Sequence, residues 1–227
     1  MLITNQSLTV NFKSIDYFLN LMMKITMTGE TLQGSGDDLV YHKSDECYSL
    51  TSQKRTFVTH MSVGRMDAAS IVLNGTTLWV TGGRGNNGQL ASTEKITMEG
   101  TMPGPDLIVA LQDHAMVAIN STVSMIIGGW DGSNSASTFY FDHIKSDWIN
   151  GPNSMQAKYL HAAGVVTDEV TNENFVAVTG GHFDYDDLDS TEILQDGKWV
   201  QGKTNDTVCN HLEISGYNKN TLVARAF

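Results

Sequence analysis

The chain has 227 residues, of which 41% are hydrophobic and 17% are charged, enough apolar sequence for one globular core or a row of small units. Its formal net charge is -11, from 25 acidic and 14 basic residues. Nucleic acid is therefore excluded as a partner, because the chain has no surplus of Lys and Arg to displace the counterions of a phosphate backbone.

The N-terminal segment lacks a basic region followed by an uninterrupted apolar run. Its longest apolar stretch, YFLNLMM, is broken by Asn20, a pattern that predicts neither a signal peptide nor a membrane span. A membrane is therefore not predicted as a partner. Cys47 and Cys209 are too few for a metal cluster, and their spacing requires no disulfide. These features favour a cytoplasmic location and leave a secreted one open.

A glycine pair ends an apolar run three times along the chain. The pairs are Gly82 and Gly83 in VTGG, Gly128 and Gly129 in IIGG, and Gly180 and Gly181 in VTGG, at intervals of 46 and 52 residues. A second apolar segment precedes each pair, and the alanines at 68, 115 and 162 align these segments at a spacing of 47 residues. The recurrence predicts a structural repeat.

Further signals complete each repeat. A polar loop follows the glycine pair and leads into STFYFDHIKSDW, ending at Trp148, or STEILQDGKW, ending at Trp199. The tight turn LNGTT in the first copy is replaced by the longer TDEVTNEN in the third, which accounts for the longer interval. Each unit is predicted to contain four short antiparallel strands, the pattern of a β-propeller blade.

The sequences RMDAASIVLNGTTLWVTGG and GGWDGSNSASTFYFDHIKSDW resemble kelch repeats, which carry a double glycine after the second strand, an aromatic residue in the third and a tryptophan in the fourth. The resemblance implies an all-β fold, a kelch-type β-propeller, with residues 1–227 as a single domain. Clear repeats cover about residues 60–203, with a degraded blade at about 8–59 and a half blade at about 204–227. The first clear unit lacks the tryptophan, and Leu194 replaces the usual aromatic residue of the third.

This count gives about 4 to 4.5 blades, fewer than a kelch ring of six or so. Three arrangements remain open: a fragment of a longer propeller, a small ring closed by strands from both termini, or a ring completed by two chains. The count favours a partial or incomplete propeller.

The glycine pairs are predicted to be structural, because no GxGxxG or GKT context accompanies them. Without a Cβ atom, the backbone can adopt positive φ and a neighbouring blade can approach closely. Trp148 and Trp199 are predicted to be structural as well.

Function is expected in the loops, since the connections from strand two to three and from strand four to the next strand one emerge on one face. Their mixture of aromatic, amide and charged residues predicts a protein-binding scaffold or adaptor. Arg65 and Asp67 join this face from the incoming connection, which leads from strand four of one unit to strand one of the next. The candidate binding residues are Arg84, Asn86, Asn87, Trp130, Asp131, Asn134, His182, Phe183, Asp184, Tyr185, Asp186 and Asp187.

The acidic run HFDYDDLDS lacks the ligand order of a calcium loop, so a basic peptide is the guest that it favours. No catalytic residue, metal site or cofactor is predicted, because GxSxG, HExxH and paired CxxC motifs are absent. His114 and His161 share one register of the repeat and are predicted to be structural. Some kelch propellers resemble copper-radical oxidases or sugar epimerases, so an enzyme or a carbohydrate-binding protein is the alternative; neither pattern of residues is matched here.

Overall fold

The molecule contains strands and connections, with no helix in the residues that the structure describes. The computed structural model describes the backbone of residues 25–27, 30–31, 40–41, 44–49, 54–167, 173–202, 212–218 and 221–226, and the side chains of residues 59–166 and 173–202. The all-β prediction is confirmed. Within these ranges, nothing helical reaches the length and apolarity that a bilayer span requires.

Five strands lie before the clear repeats in the part of the chain that the structure describes. Strands β1, β4 and β5 form a three-stranded antiparallel sheet, and β2 pairs with β3. Much of the predicted degraded blade at 8–59 lies outside the described residues. The bounds are β1 Ile25–Met27, β2 Glu30–Thr31, β3 Val40–Tyr41, β4 Ser44–Ser49 and β5 Lys54–His60.

Sheet I is a four-stranded antiparallel meander with the strand order β6-β7-β10-β11. A small hairpin, β8 and β9, interrupts the connection from the second strand to the third. The bounds are β6 Ala69–Leu73, β7 Thr77–Thr81, β8 Arg84–Gly85, β9 Gly88–Gln89, β10 Thr93–Thr97 and β11 Gly100–Pro103.

Sheets II and III repeat this meander, with the orders β12-β13-β14-β15 and β16-β17-β20-β21. Sheet II is formed by β12 Ala115–Ala118, β13 Val123–Ile127, β14 Thr138–Asp142 and β15 Asp147–Asn150. Sheet III is formed by β16 Ala162–Thr167, β17 Asn174–Thr179, β20 Thr191–Gln195 and β21 Lys198–Gln201, with the small hairpin β18 His182–Phe183 and β19 Asp186–Asp187.

A final hairpin, β22 Leu212–Asn218 and β23 Thr221–Ala226, follows the third sheet. The sequence predicts two strands here around a turn from Gly216 to Asn220, whereas β22 continues through Gly216 to Asn218. The remainder of the predicted half blade at 204–227 lies outside the described residues.

The register of the repeat differs by one residue from the predicted alignment in sheet I. Ala69, Ala115 and Ala162 each pair with the residue directly before a glycine pair, namely Thr81, Ile127 and Thr179. Ala69, not Ala68, is therefore the equivalent alanine. The sequence does not distinguish the two, because Ala68 and Ala69 are adjacent and only Ala68 gives a uniform spacing of 47 residues.

The first strands of consecutive sheets lie next to each other, β6 beside β12 and β12 beside β16. Two backbone hydrogen bonds join the same register of successive sheets: Asp113 N donates to Asp67 O at 2.9 Å, and Leu160 N donates to Asp113 O at 3.0 Å. All three residues have φ of 53° or 54°. The repeat is thus reproduced down to this strained backbone position.

The core lies between neighbouring sheets. Trp79 of β7 is fully buried and contacts Phe141 and Trp148 of sheet II, at centroid distances of 4.7 Å and 5.7 Å. Trp199 of sheet III packs in the cluster that contains Met125 of sheet II, and its Nε1 donates to Pro152 O at 2.8 Å. Each tryptophan of a fourth strand therefore packs against the preceding sheet.

The six glycines of the pairs have φ between 58° and 102°. A Cβ atom on Gly128 would lie 2.6 Å from Lys158 O and 2.8 Å from His161 Cε1. One on Gly82 would lie 2.5 Å from Leu111 O and 2.8 Å from His114 Cε1. In both pairs, the first glycine thus leaves space for the backbone and the histidine side chain that precede the next sheet.

Candidate functional site

The loops after the glycine pairs and the incoming connections meet at one end of the three sheets. Loop I covers residues 82–92, loop II residues 128–137 and loop III residues 180–190. The residue after each glycine pair forms a bridge with the residue three positions before the first strand: Arg84 with Met66, Trp130 with Gln112, and His182 with Tyr159. We call this end of the sheets the loop face.

Loop I presents three of the predicted residues to solvent: Arg84, Asn86 and Asn87 are exposed. Arg65 is different, and its predicted place on the loop face is wrong. Its side chain is fully buried, where Nη2 lies 2.7 Å from Glu94 Oε1 and Nη1 donates to Gly82 O at 2.7 Å. The guanidinium is directed into sheet I because the buried Glu94 carboxylate requires a cation.

Loop II contains Trp130, Asp131 and Asn134. Trp130 is half-buried and forms backbone bridges with both Gln112 and Asn134. Asp131 is exposed, and its Oδ1 accepts hydrogen bonds from Ser133 N at 3.1 Å and Ser133 Oγ at 3.0 Å. These bonds fix the turn that follows the tryptophan.

Loop III contains the hairpin of β18 and β19, turned at Asp184 with φ of 54°. Tyr185 at its tip is 100% exposed, and Asp186 is also exposed. Nδ1 of His182 lies 2.8 Å from Oδ1 of Asp187 across the hairpin. The turn holds an aromatic ring and carboxylates above the sheet.

Side chains of loops II and III join in one continuous surface through Tyr159. The Tyr159 ring contacts Trp130 edge to face at 5.6 Å and stacks on His182 at 5.5 Å. Its hydroxyl donates to Asp184 O at 3.1 Å, and Asn134 Nδ2 donates to Asp184 Oδ1 at 2.6 Å. We call Trp130, Tyr159 and His182 the aromatic row.

Negative charge surrounds the aromatic row. Burial raises the pKa of Tyr159, and the charges of Asp113, Asp184 and Asp187 add to the effect. Burial also raises the pKa of Asp113, opposed by a hydrogen bond from Gln112 and by the charge of Arg84. Arg84 of loop I is therefore coupled electrostatically to the centre of the loop face.

The two equivalent histidines lie beneath this surface. His114 Nε2 lies 2.9 Å from Thr81 Oγ1, and burial lowers the pKa of His114 to about 3. Burial lowers the pKa of His161 to about 3 as well, assisted by the charges of Lys158 and His114 and opposed by the Ile127 carbonyl. Both imidazoles are neutral at pH 7. Among the described residues, no three His, Cys, Asp or Glu side chains form a group that could hold a metal ion.

The sequence reasoning missed Tyr159, Gln112 and Asp113, which lie at the centre of the loop face. Asp113 and Gln112 are joined by a hydrogen bond of 2.9 Å, and Gln89 Nε2 donates to Gln112 Oε1 at 3.2 Å. The repeat carried a signal for them, since Gln112 and Tyr159 each stand two residues before His114 or His161. These residues lie in the connections that lead into the first strands, where the sequence prediction names only Arg65 and Asp67.

Comparison with known proteins shows the fold alone. No protein-family model matches the chain, and no curated protein matches it. Among the solved structures, "Structure of YjhT" is similar with a TM-score of 0.68 and 12% sequence identity, covering 80% of this chain and 67% of that chain. At this identity the likeness carries no information about activity.

Proposed function

We propose that this chain is a kelch-type β-propeller domain and that its loop face binds another protein or a peptide. The propeller part of the proposal is supported by three successive four-stranded meanders whose first strands are neighbours. The glycine pairs with positive φ and the tryptophans packed against the preceding sheet support the kelch resemblance.

One observation carries the binding part of the proposal: side chains from two sheets meet laterally on the loop face. The aromatic row joins loops II and III through Tyr159, and the bond from Asn134 to Asp184 joins residues that are 50 positions apart in sequence. Trp, Tyr and Arg are the residue types that supply most binding energy in protein interfaces, and Asn supplies adaptable hydrogen bonds.

The loops are also held in place before any partner arrives. Each begins with two backbone hydrogen bonds to the incoming connection, as between Trp130 and Gln112 at 2.8 Å and 3.1 Å. In loop III, His182 N donates to Tyr159 O at 2.8 Å and Leu188 N donates to Gly181 O at 2.8 Å. A surface that is already ordered loses less conformational entropy on binding, which favours affinity.

The test is capture of partners by two double variants of the purified chain. In the first, Arg84→Ala and Trp130→Ala remove the charged and aromatic anchors of the loop face. In the second, Ile144→Ala and Lys145→Ala change the exposed turn between β14 and β15, at the opposite end of sheet II. Proteins captured from a cell extract are quantified by mass spectrometry for both variants and for the wild type.

We expect the wild type and the Ile144/Lys145 variant to capture the same proteins in equal amounts. The Arg84/Trp130 variant should capture at least tenfold less of them. Far-UV circular dichroism and thermal unfolding must be the same for the three chains, so that a loss reports on the surface. Equal capture by all three would refute binding at the loop face.

A further inference from the structure

The carboxylates of the loop face outnumber the cations that could neutralise them. Asp131, Asp184, Asp186 and Asp189 have no cationic partner among the described residues. The two basic residues of the incoming connections do not serve them, because both are fully buried: Arg65 Nη2 lies 2.7 Å from Glu94 Oε1, and Lys158 Nζ lies 2.6 Å from Glu192 Oε1. The loop face therefore carries negative charge that a partner can neutralise.

The aromatic row gives this charge a particular shape. Trp130 and Tyr159 are half-buried, so part of each residue is accessible to solvent, and Asp184 is held beside them by Asn134 and by the Tyr159 hydroxyl. Aromatic faces attract cations that lie over them. Carboxylates next to such faces add charge-assisted hydrogen bonds in a fixed direction.

We propose that the surface formed by Trp130, Tyr159, His182 and Asp184 binds an arginine side chain in a basic segment of the partner protein. This rests on the proposed function and names the chemistry of its partner. A guanidinium is planar, so it stacks on an aromatic ring while its N–H groups, which point outward in its own plane, reach a carboxylate beside the ring. A lysine ammonium can satisfy the charge but cannot stack in this way.

The charge around the row favours a side chain over a free metal ion. The described carboxylates of the loop face do not converge into a group that could hold a metal ion. They spread along loops II and III, where Asp184 bonds to Asn134 and Asp187 lies beside His182. An extended basic segment can follow such a distribution and place one arginine against the solvent-accessible part of the aromatic row.

The test begins with random linear peptides displayed on phage and selected on the wild-type chain. The tightest peptide is then synthesised with its arginine and with citrulline, which keeps the shape and removes the charge. Affinities are measured by fluorescence anisotropy for the wild type, Asp184→Asn and Asp196→Asn. Asp196 is a matched control because it is exposed, has φ of 52° against 54° for Asp184, and lies at the opposite end of sheet III.

We expect selected peptides to be rich in arginine, citrulline to weaken binding at least tenfold, and Asp184→Asn to weaken it about fivefold while Asp196→Asn changes nothing. A different outcome is that the selected peptides contain no arginine and bind the wild type but not the Arg84/Trp130 double variant. That result would overturn the arginine site and leave the proposed function standing. Equal affinities of the arginine peptide and its citrulline form would also overturn the arginine site. Peptides whose binding ignores the loop face altogether would refute both proposals.

Discussion

Arg65 and Glu94 form a buried ion pair in sheet I, with Nη2 and Oε1 2.7 Å apart. Glu94 also accepts hydrogen bonds from Ser62 N at 2.6 Å and Val63 N at 3.2 Å. Sheet III places Lys158 and Glu192 at the same register. Sheet II places Leu111 and Phe139 there, both buried in the apolar cluster. One position of the repeat is thus filled in two chemically different ways.

Replacing the ion pair by the apolar pair of sheet II should cost less than breaking it. Arg65→Leu alone leaves a buried carboxylate without its cation, and Glu94→Phe alone leaves a buried guanidinium, so each should lower the free energy of unfolding by about 3 to 5 kcal/mol. The double variant removes both charges and should lie within about 2 kcal/mol of the wild type. Urea denaturation of the four chains measures the coupling.

The exposed pair of Lys145 and Asp142 is the control. Lys145 Nζ lies 3.3 Å from Asp142 Oδ2 with its side chain 71% exposed, so Lys145→Ala should change the free energy of unfolding by less than about 1 kcal/mol. Additive losses from the Arg65 and Glu94 substitutions would contradict the coupling, because independent sites add.

The sequence predicts the parts of this molecule that repeat and misses those that depend on two connections meeting. The three glycine pairs and the strands around them are visible because each copy repeats the same apolar runs. Ser92-Thr93-Glu94 and Ser190-Thr191-Glu192 also repeat, so a buried carboxylate in the third strand was detectable. The repeat indicates the position of Tyr159 but not its role, because that role arises from packing between Trp130 and His182, residues 29 positions before it and 23 after it.

Gly128→Ala should be more damaging than Gly132→Ala. Both glycines have positive φ, 58° and 113°, so both substitutions strain the backbone. A Cβ atom on Gly128 would also lie 2.6 Å from the backbone oxygen of Lys158, whereas nothing lies within 4 Å of one on Gly132. We expect a loss of about 1 to 2 kcal/mol for Gly132→Ala and of more than about 3 kcal/mol for Gly128→Ala, measured by urea denaturation. Equal losses would mean that φ alone selects the glycine.

The free energy of unfolding should fall as the pH falls from 6.5 to 5, because His114 and His161 stay neutral in the folded chain. Their pKa of about 3 lies below the ordinary value of 6.5, so the unfolded chain binds protons in this window that the folded chain does not. The effect fades above pH 6.5 and grows below it, to about 2 kcal/mol for each histidine at pH 5. Glu94 affects stability at a lower pH than the histidines. Burial raises its pKa, but hydrogen bonds from Ser62 and Arg65 outweigh this and leave the pKa below 4.5.

His114→Gln separates this titration from the other acid effects. Glutamine cannot take up a proton in this range, so the slope of unfolding free energy against pH between 5 and 6.5 should lose the contribution of one histidine, about half of what His114 and His161 contribute together. His143→Gln is the control. His143 is less buried than His114, so its lowered pKa should contribute a smaller slope of the same sign. Urea denaturation at a series of pH values measures each slope. A slope unchanged by His114→Gln would show that the imidazole takes up its proton in the folded chain, so that neither burial nor the contact with Thr81 keeps it neutral.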